Sequence, residues 1–194
     1  MFEYLMPALW MRNYPDTIVD RSMKAAVSVQ RAYGRRHGVP WGISESACIS
    51  GSNGKHGYRA FGVPELALRR RDSRHLVISP YSTFLAAAVD PAAAMANLRQ
   101  MLEYGWLGRY GFYEAVGYSR AGAQPVRMWM AHHQGMSLLA IVNLLFNNPL
   151  RQYFHAEPQV LATELLLDER VPPGALADLE RVELPVEHAL TAPA

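Results

Sequence analysis

Helical periodicity in this chain is broken twice by glycine-rich stretches, and those breaks limit the fold more than the helices do. Residues 41–64 hold five glycines (42, 51, 54, 57 and 62), and residues 105–122 hold five more (105, 108, 111, 117 and 122). Neither spacing is periodic, and glycine at this density excludes regular helix. A short hairpin around Asn53-Gly54 is the one local element the first stretch suggests. Around these breaks, apolar residues recur at helical spacing. Asp16 or Thr17 caps a helix carrying Ile18, Met23, Ala26, Val27, Val29 and Ala32 up to Gly34, and His37-Gly38-Val39-Pro40 ends it. Ser79-Pro80 opens a helix through Ala88. Asp90, as N-cap to Pro91, opens another that reaches Glu103 or Tyr104. The segment from Met130 to Asn147 is apolar nearly all round, which predicts a central helix. A last helix is expected from Pro158 to Glu169, with Val160, Leu161, Leu165 and Leu166 on one side. With no βαβ alternation, phosphate-loop signature or fixed repeat, the expected class is all-α. Helical hairpins with their loops gathered at one end make a helical toroid.

Composition narrows the function by exclusion. Lys and Arg number 19 against 17 Asp and Glu, a balance that gives no general case for nucleic acid. The local cluster Arg69, Arg70, Arg71 and Arg74 reads as a solvated loop or helix end. The single cysteine, Cys48, excludes an internal disulfide or a cysteine-rich metal site. Met136 to Phe146 is the longest apolar run, interrupted by Asn143 and too short to span a bilayer. No basic region precedes the apolar start and no small-residue cleavage site follows it. The chain is apolar from Phe2 onward with no capping residue ahead, which suggests a piece of a longer protein.

Two loop glutamates carry the chemistry. Glu45 lies in Trp41-Gly42-Ile43-Ser44-Glu45-Ser46, and Glu114 in Gly108-Arg109-Tyr110-Gly111-Phe112-Tyr113-Glu114. Each is set among glycines, hydroxyls and aromatic rings, a setting that suits sugar: rings stack on pyranose faces while paired carboxylates work at the anomeric carbon. Loop-bracing glutamates are the plainer alternative. The Trp41 indole is a candidate stacking platform that would raise a neighbouring carboxyl pKa. Arg109 is a candidate partner keeping Glu114 ionised. Tyr58, Phe61, Tyr81 and Tyr113 either line a groove or pack in the core. Ala131-His132-His133-Gln134 opens the long apolar helix. Adjacent histidines diverge on a helix and cannot chelate one metal, so no metal site is expected. Either one histidine is bonded in the core and the other lies near the surface, or one of them, with Gln134, binds sugar hydroxyls.

Six segments in order, Phe2-Glu-Tyr-Leu-Met-Pro, Trp41-Gly-Ile-Ser-Glu-Ser-Ala, Tyr58-Arg-Ala-Phe-Gly-Val-Pro, Gly108-Arg-Tyr-Gly-Phe-Tyr-Glu-Ala, Ala131-His-His-Gln-Gly-Met-Ser and Thr163-Glu-Leu-Leu-Leu-Asp-Glu-Arg, resemble the glucoamylase-like domain of cyclic β-1,2-glucan synthases, which is related to bacterial endo-β-1,2-glucanases. The resemblance covers residues 1–172, leaving 173–194 as a peripheral tail. It implies part of an (α/α)6 barrel, the C-terminal portion with its upstream half missing, acting on β-1,2-glucan without a cofactor. By position, Glu45 would be the general acid/base and Glu114 the nucleophile of a retaining transglycosylation that closes the chain into a ring. An inverting endo-β-1,2-glucanase and an inactive glucan-binding or scaffold module are the alternatives. A bacterial setting is implied, at the cytoplasmic face of the inner membrane for a synthase or in the periplasm for a glucanase.

Overall fold

The computed structural model describes residues 1–50, 55–66, 76–119, 122–170 and 172. The Asn53-Gly54 turn, the Arg69–Arg74 cluster and the tail at 173–194 lie outside the described residues. Helix α1 (Phe2–Leu5) runs into a 3-10 turn at Met6–Leu9, and α2 spans Ile18–His37. Strands β1 (Ser46–Ser50) and β2 (Lys55–Arg59) follow, then β3 (Leu76–Ile78), α3 (Pro80–Ala86) and α4 (Pro91–Glu103). Next come β4 (Leu107–Gly108), β5 (Gly111–Phe112), β6 (Ala115–Ser119) and β7 (Gly122–Val126). Helices α5 (Ala131–Leu145), α6 (Pro149–Phe154) and α7 (Pro158–Thr163) close the described fold, with a 3-10 turn at Glu164–Leu167.

Capping chemistry sets the helix starts as the sequence predicts. Thr17 accepts from the Asp20 N–H, and Gly38 takes the left-handed conformation just past α2 at φ 63°. Asp90 accepts from Ala93 N–H at the head of α4. The last expected helix is shorter than its pattern, ending as α-helix at Thr163, and its Leu165 and Leu166 are exposed.

The chain is mostly helical, but the all-α expectation is corrected by three small antiparallel sheets, ordered β1-β2, β3-β6-β7 and β4-β5. Glycine excludes helix from these stretches without excluding strand. Gly57 pairs with Cys48, and Gly117 sits between Val77 and Gln124 in the central strand β6. The ladders satisfy backbone groups that an irregular loop would leave unpaired.

Two apolar clusters hold the layers together. One joins the sheets to α4 through Ile43, Val63, Val77, Met101, Trp106 and Val116. The other joins α1, α2 and α3 through Leu5, Met23, Val27, Trp41, Tyr81 and Leu85. Helix α5 departs from the expected central element. Its buried residues are His133, Ser137, Ala140 and Asn143, a mainly polar stripe. Leu138, Leu144, Leu145 and Phe146 are 60%, 45%, 67% and 66% exposed. Met136, Leu139 and Ala140 meet the second cluster, while the other leucines of α5 face away from the described core. Beside it, a cleft of about 360 Å³ runs along α4, lined by Met95, Leu98, Leu102, Ile141, Leu144 and Leu145 among others.

Candidate active site

The segment carrying Glu45 lies outside any ladder, and buried amide side chains act as its partners. Gln30 on α2 donates through Nε2 to the Ile43 carbonyl (2.8 Å) and accepts from the Ile43 N–H (2.8 Å). Asn97 on α4 does the same for Trp41, at 2.8 and 3.1 Å. Gly42 fits between them only as glycine: its φ is 117°, and a Cβ would come within 2.8 Å of Ser82 Oγ. The turn leading into β1 is fixed by the Tyr81 hydroxyl, 2.9 Å from Ser44 Oγ and 3.1 Å from the Glu45 carbonyl oxygen. The half-buried Glu45 side chain emerges from this scaffold and accepts from the Tyr58 hydroxyl on β2 at 3.0 Å.

Glu114 stands at the entry to β6, where its N–H donates to the Met128 carbonyl. Its side chain is fully enclosed. Oε1 accepts from the Ala47 N–H of β1 (3.1 Å) and lies 2.7 Å from His133 Nδ1. An ionised carboxylate only accepts, so toward an ionised Glu114 the imidazole hydrogen sits on Nδ1. Oε2 is buried and has no hydrogen-bond partner among the described residues. The expected Arg109 partnership is not what the structure builds. The Arg109 guanidinium lies over the Tyr110 ring at 5.3 Å, and His133 and Ala47 hold Glu114 instead.

Between the carboxylates stand two rings. His133 Nε2 is 3.4 Å from the Tyr58 hydroxyl, so a polar chain runs Glu45, Tyr58, His133, Glu114. The His133 ring stacks flat on Tyr81, with centroids 3.7 Å apart at 7°. Burial first, then the hydrogen bond to Glu45, pushes the Tyr58 phenol above its ordinary value, and burial does the same to Tyr81. Both are neutral hydroxyl donors at physiological pH. His132 is exposed beside this chain, and its imidazole is held below its ordinary value, chiefly by partial burial and then by His133. Of the two histidine readings, the structure builds the one with His133 bonded inside and His132 near the surface.

Other candidate residues take packing roles. Trp41 is 8% exposed within a core cluster, so its ring is no stacking platform beside Glu45; Phe61, also 8% exposed, belongs to the other cluster. Gln134 donates to the Phe112 carbonyl at 3.2 Å, bracing the β4-β5 hairpin. Tyr113 packs on Trp129 with centroids 5.6 Å apart, and Tyr110 meets the same indole edge-on at 5.2 Å. Trp129 is a half-buried aromatic that the sequence did not single out. Its signal was its place just before the His132-His133 segment. Groups of three or more metal-ligating side chains are absent among the described residues, and no described helix is long and apolar enough to cross a membrane.

Comparison with known proteins agrees with this fold. Residues 1–158 match the family model described as "Putative glucoamylase". The cyclic beta-(1,2)-glucan synthase NdvB of Rhizobium meliloti (strain 1021) is 42% identical over an aligned stretch of 179 residues that covers 89% of this chain and 6% of the synthase. Among solved structures, a "putative glucoamylase" from Bacteroides fragilis NCTC 9343 superposes with a TM-score of 0.63 at 24% identity, over 86% of this chain and 39% of that one. The endo-beta-1,2-glucanase of Chitinophaga pinensis, in complex with sophorotriose and glucose, superposes at 0.54 with 20% identity, over 77% of this chain and 34% of its own. The structural likenesses show the fold, and the chain spans only a minor part of each relative. The family-model match, extending from α1 to the start of α7, shows that this chain belongs to the "Putative glucoamylase" family.

Proposed function

We propose that the chain is the site-bearing part of an (α/α)6 barrel acting on β-1,2-glucan, and that it cyclises the glucan by retaining transglycosylation. Glu45 is the acid/base and Glu114 the nucleophile. The observation that carries this is the state of the Glu114 carboxylate. One oxygen is pinned by Ala47 and His133 while the other keeps its lone pairs uncommitted, which is how a carboxylate is oriented for attack. Glu45 contrasts with it, half-buried with a phenol donor at hand. The acid protonates the leaving glucosyl oxygen as Glu114 bonds to the anomeric carbon. A hydroxyl from the far end of the chain, deprotonated by Glu45, then displaces Glu114 and closes the ring. The synthase relative supports the substrate class and the ring-closing outcome.

A second reading has its own observation. The Glu114 side chain is fully enclosed, and a phenol and an imidazole lie between it and Glu45. On that reading Glu114 only anchors His133, and the site inverts with water as in an endo-glucanase, or binds glucan without turnover. Azide separates the two in the chain joined to the rest of its barrel. With Glu114→Ala, a nucleophilic role gives azide-dependent turnover and an α-configured glycosyl azide. An anchoring role gives no such product.

A further inference from the structure

Tyr58 has one hydroxyl proton and two acceptors within reach. Glu45 Oε1 lies at 3.0 Å and His133 Nε2 at 3.4 Å. Because Nδ1 carries the imidazole hydrogen toward Glu114, Nε2 of the neutral ring offers a lone pair to the phenol. The phenol cannot donate to both, so the protonation of Glu45 decides where its hydrogen points. With Glu45 ionised, the hydroxyl donates to the carboxylate and turns its own lone pairs toward Nε2. That arrangement favours the imidazolium, whose Nε2–H then donates to the phenol oxygen. With Glu45 protonated, its O–H donates to the phenol oxygen, the Tyr58 hydroxyl turns to Nε2, and the neutral imidazole is favoured.

We propose that Tyr58 is a positioning residue that couples the two ends of the site through this reorientation, so that loss of the Glu45 proton favours gain of one by His133. No bond to carbon changes in the step: the phenol keeps its proton and rotates about its C–O bond. The inference deepens the function proposed above and rests on Glu45 being the acid/base. The surroundings suit both states of His133. Glu114 faces it through Nδ1, Tyr81 lies flat against its ring, and His132 sits with its centroid 4.0 Å away. Imidazolium is therefore met by a carboxylate and an aromatic face on one side and opposed by the second histidine on the other. Coupling of this kind makes the pH midpoints properties of the chain of groups rather than of one residue.

Two readouts test it, one independent of turnover. In this chain with ¹⁵N-labelled histidine, His133 is assigned by its loss in His133→Gln. Its Nε2 signal should move in two steps with pH, one coinciding with the titration of Glu45. Tyr58→Phe removes only a hydroxyl from a ring that is 45% exposed, and it should shrink the step shared with Glu45 at least about threefold. Kinetics on the chain joined to its barrel give the second readout. Tyr58→Phe should lower kcat about tenfold with KM within about twofold, and should displace the limb of the pH profile set by Glu45. A shared step of undiminished size in Tyr58→Phe overturns the coupling. So does a raised KM with kcat and pH profile unchanged, which is the mark of simple sugar binding. If the wild type turns over no glucan, the functional reading fails on that result while the histidine titration still decides the coupling.

Discussion

Helix α5 belongs to two regions of opposite character. On its inner side His133 and Asn143 are buried and fastened: His133 to Glu114, and Asn143 to the Leu9 carbonyl and the Leu150 N–H. On its outer side Leu138 and Phe146 stand exposed, and Leu144 and Leu145 border the α4 cleft. A helix that buries a polar stripe and exposes Leu138, Leu144 and Leu145 reverses the ordinary order. Burying polar groups is costly without partners, and here His133 has Glu114 and Tyr58, Ser137 has the His133 carbonyl, and Asn143 has Leu9 and Leu150. The outer side has the composition of a core and no core against it in the described residues. The inner face is thus held by hydrogen bonds, while the outer face is left apolar and exposed among the described residues.

The largest expected effect breaks the site side. In the chain joined to its barrel, Glu45→Gln should cut turnover of β-1,2-glucan by about 10²–10⁴-fold with little change in stability, measured by product formation and thermal melting. Gln30→Leu attacks the scaffold rather than the acid. It leaves the buried Ile43 N–H and C=O unpaired and should destabilise the fold by about 2–4 kcal/mol in denaturant unfolding. Leu145→Lys tests the other region and sharpens the contrast. In this chain alone it should change stability by no more than about 0.5 kcal/mol, because the side chain is already exposed. In the completed barrel it should destabilise by about 2 kcal/mol or more, since the charge would then be buried. An equal effect in both contexts would mean the outer face is not covered.

The smallest effect is a pH dependence at a third place, Glu164. Tyr14 first, then Arg12, hydrogen-bonds Glu164 and holds its carboxyl below the usual carboxylate range. A carboxyl whose pKa is depressed on folding stabilises the fold above its unfolded pKa, and that contribution is lost as pH falls toward the folded value. Glu164→Gln should therefore lower the Tm slightly at neutral pH and leave it unchanged well below the carboxylate range. Melting curves from about pH 3 to 7 would show the two proteins converging on the acid side.

Much of this was legible in the sequence, and the losses have identifiable causes. Caps at Thr17 and Asp90 are local chemistry, so α2 and α4 start where expected. Glu45 and Glu114 stood out as loop carboxylates, and both lie on one polar chain. The hairpin expected around Asn53-Gly54 is matched by the pairing of β1 with β2, whereas the other strands were missed because glycine density signals only the absence of helix, and β3 finds its partner β6 far along the chain. Arg109 was misjudged as the Glu114 partner for the same reason. Adjacency in sequence favoured arginine, whereas His133, 19 residues on, meets the carboxylate through the fold. Trp41 looked like a sugar platform because it neighbours Glu45, but the left-handed Gly42 and the bracing by Asn97 accompany a side chain seated in the core. Helix α5 was read as apolar nearly all round and therefore central; it forms, but Leu138, Leu144 and Leu145 are exposed, because His133 and Asn143 are the side chains that meet partners across the fold.

The most direct test of the central claim is mass spectrometry of the products from linear β-1,2-glucan, using the chain joined to its barrel. The account predicts glucans lighter than the linear series by one water, present with the wild type and lost in both Glu45→Gln and Glu114→Gln. Ring products that persist in either variant, or shortened linear glucans alone from the wild type, would contradict it.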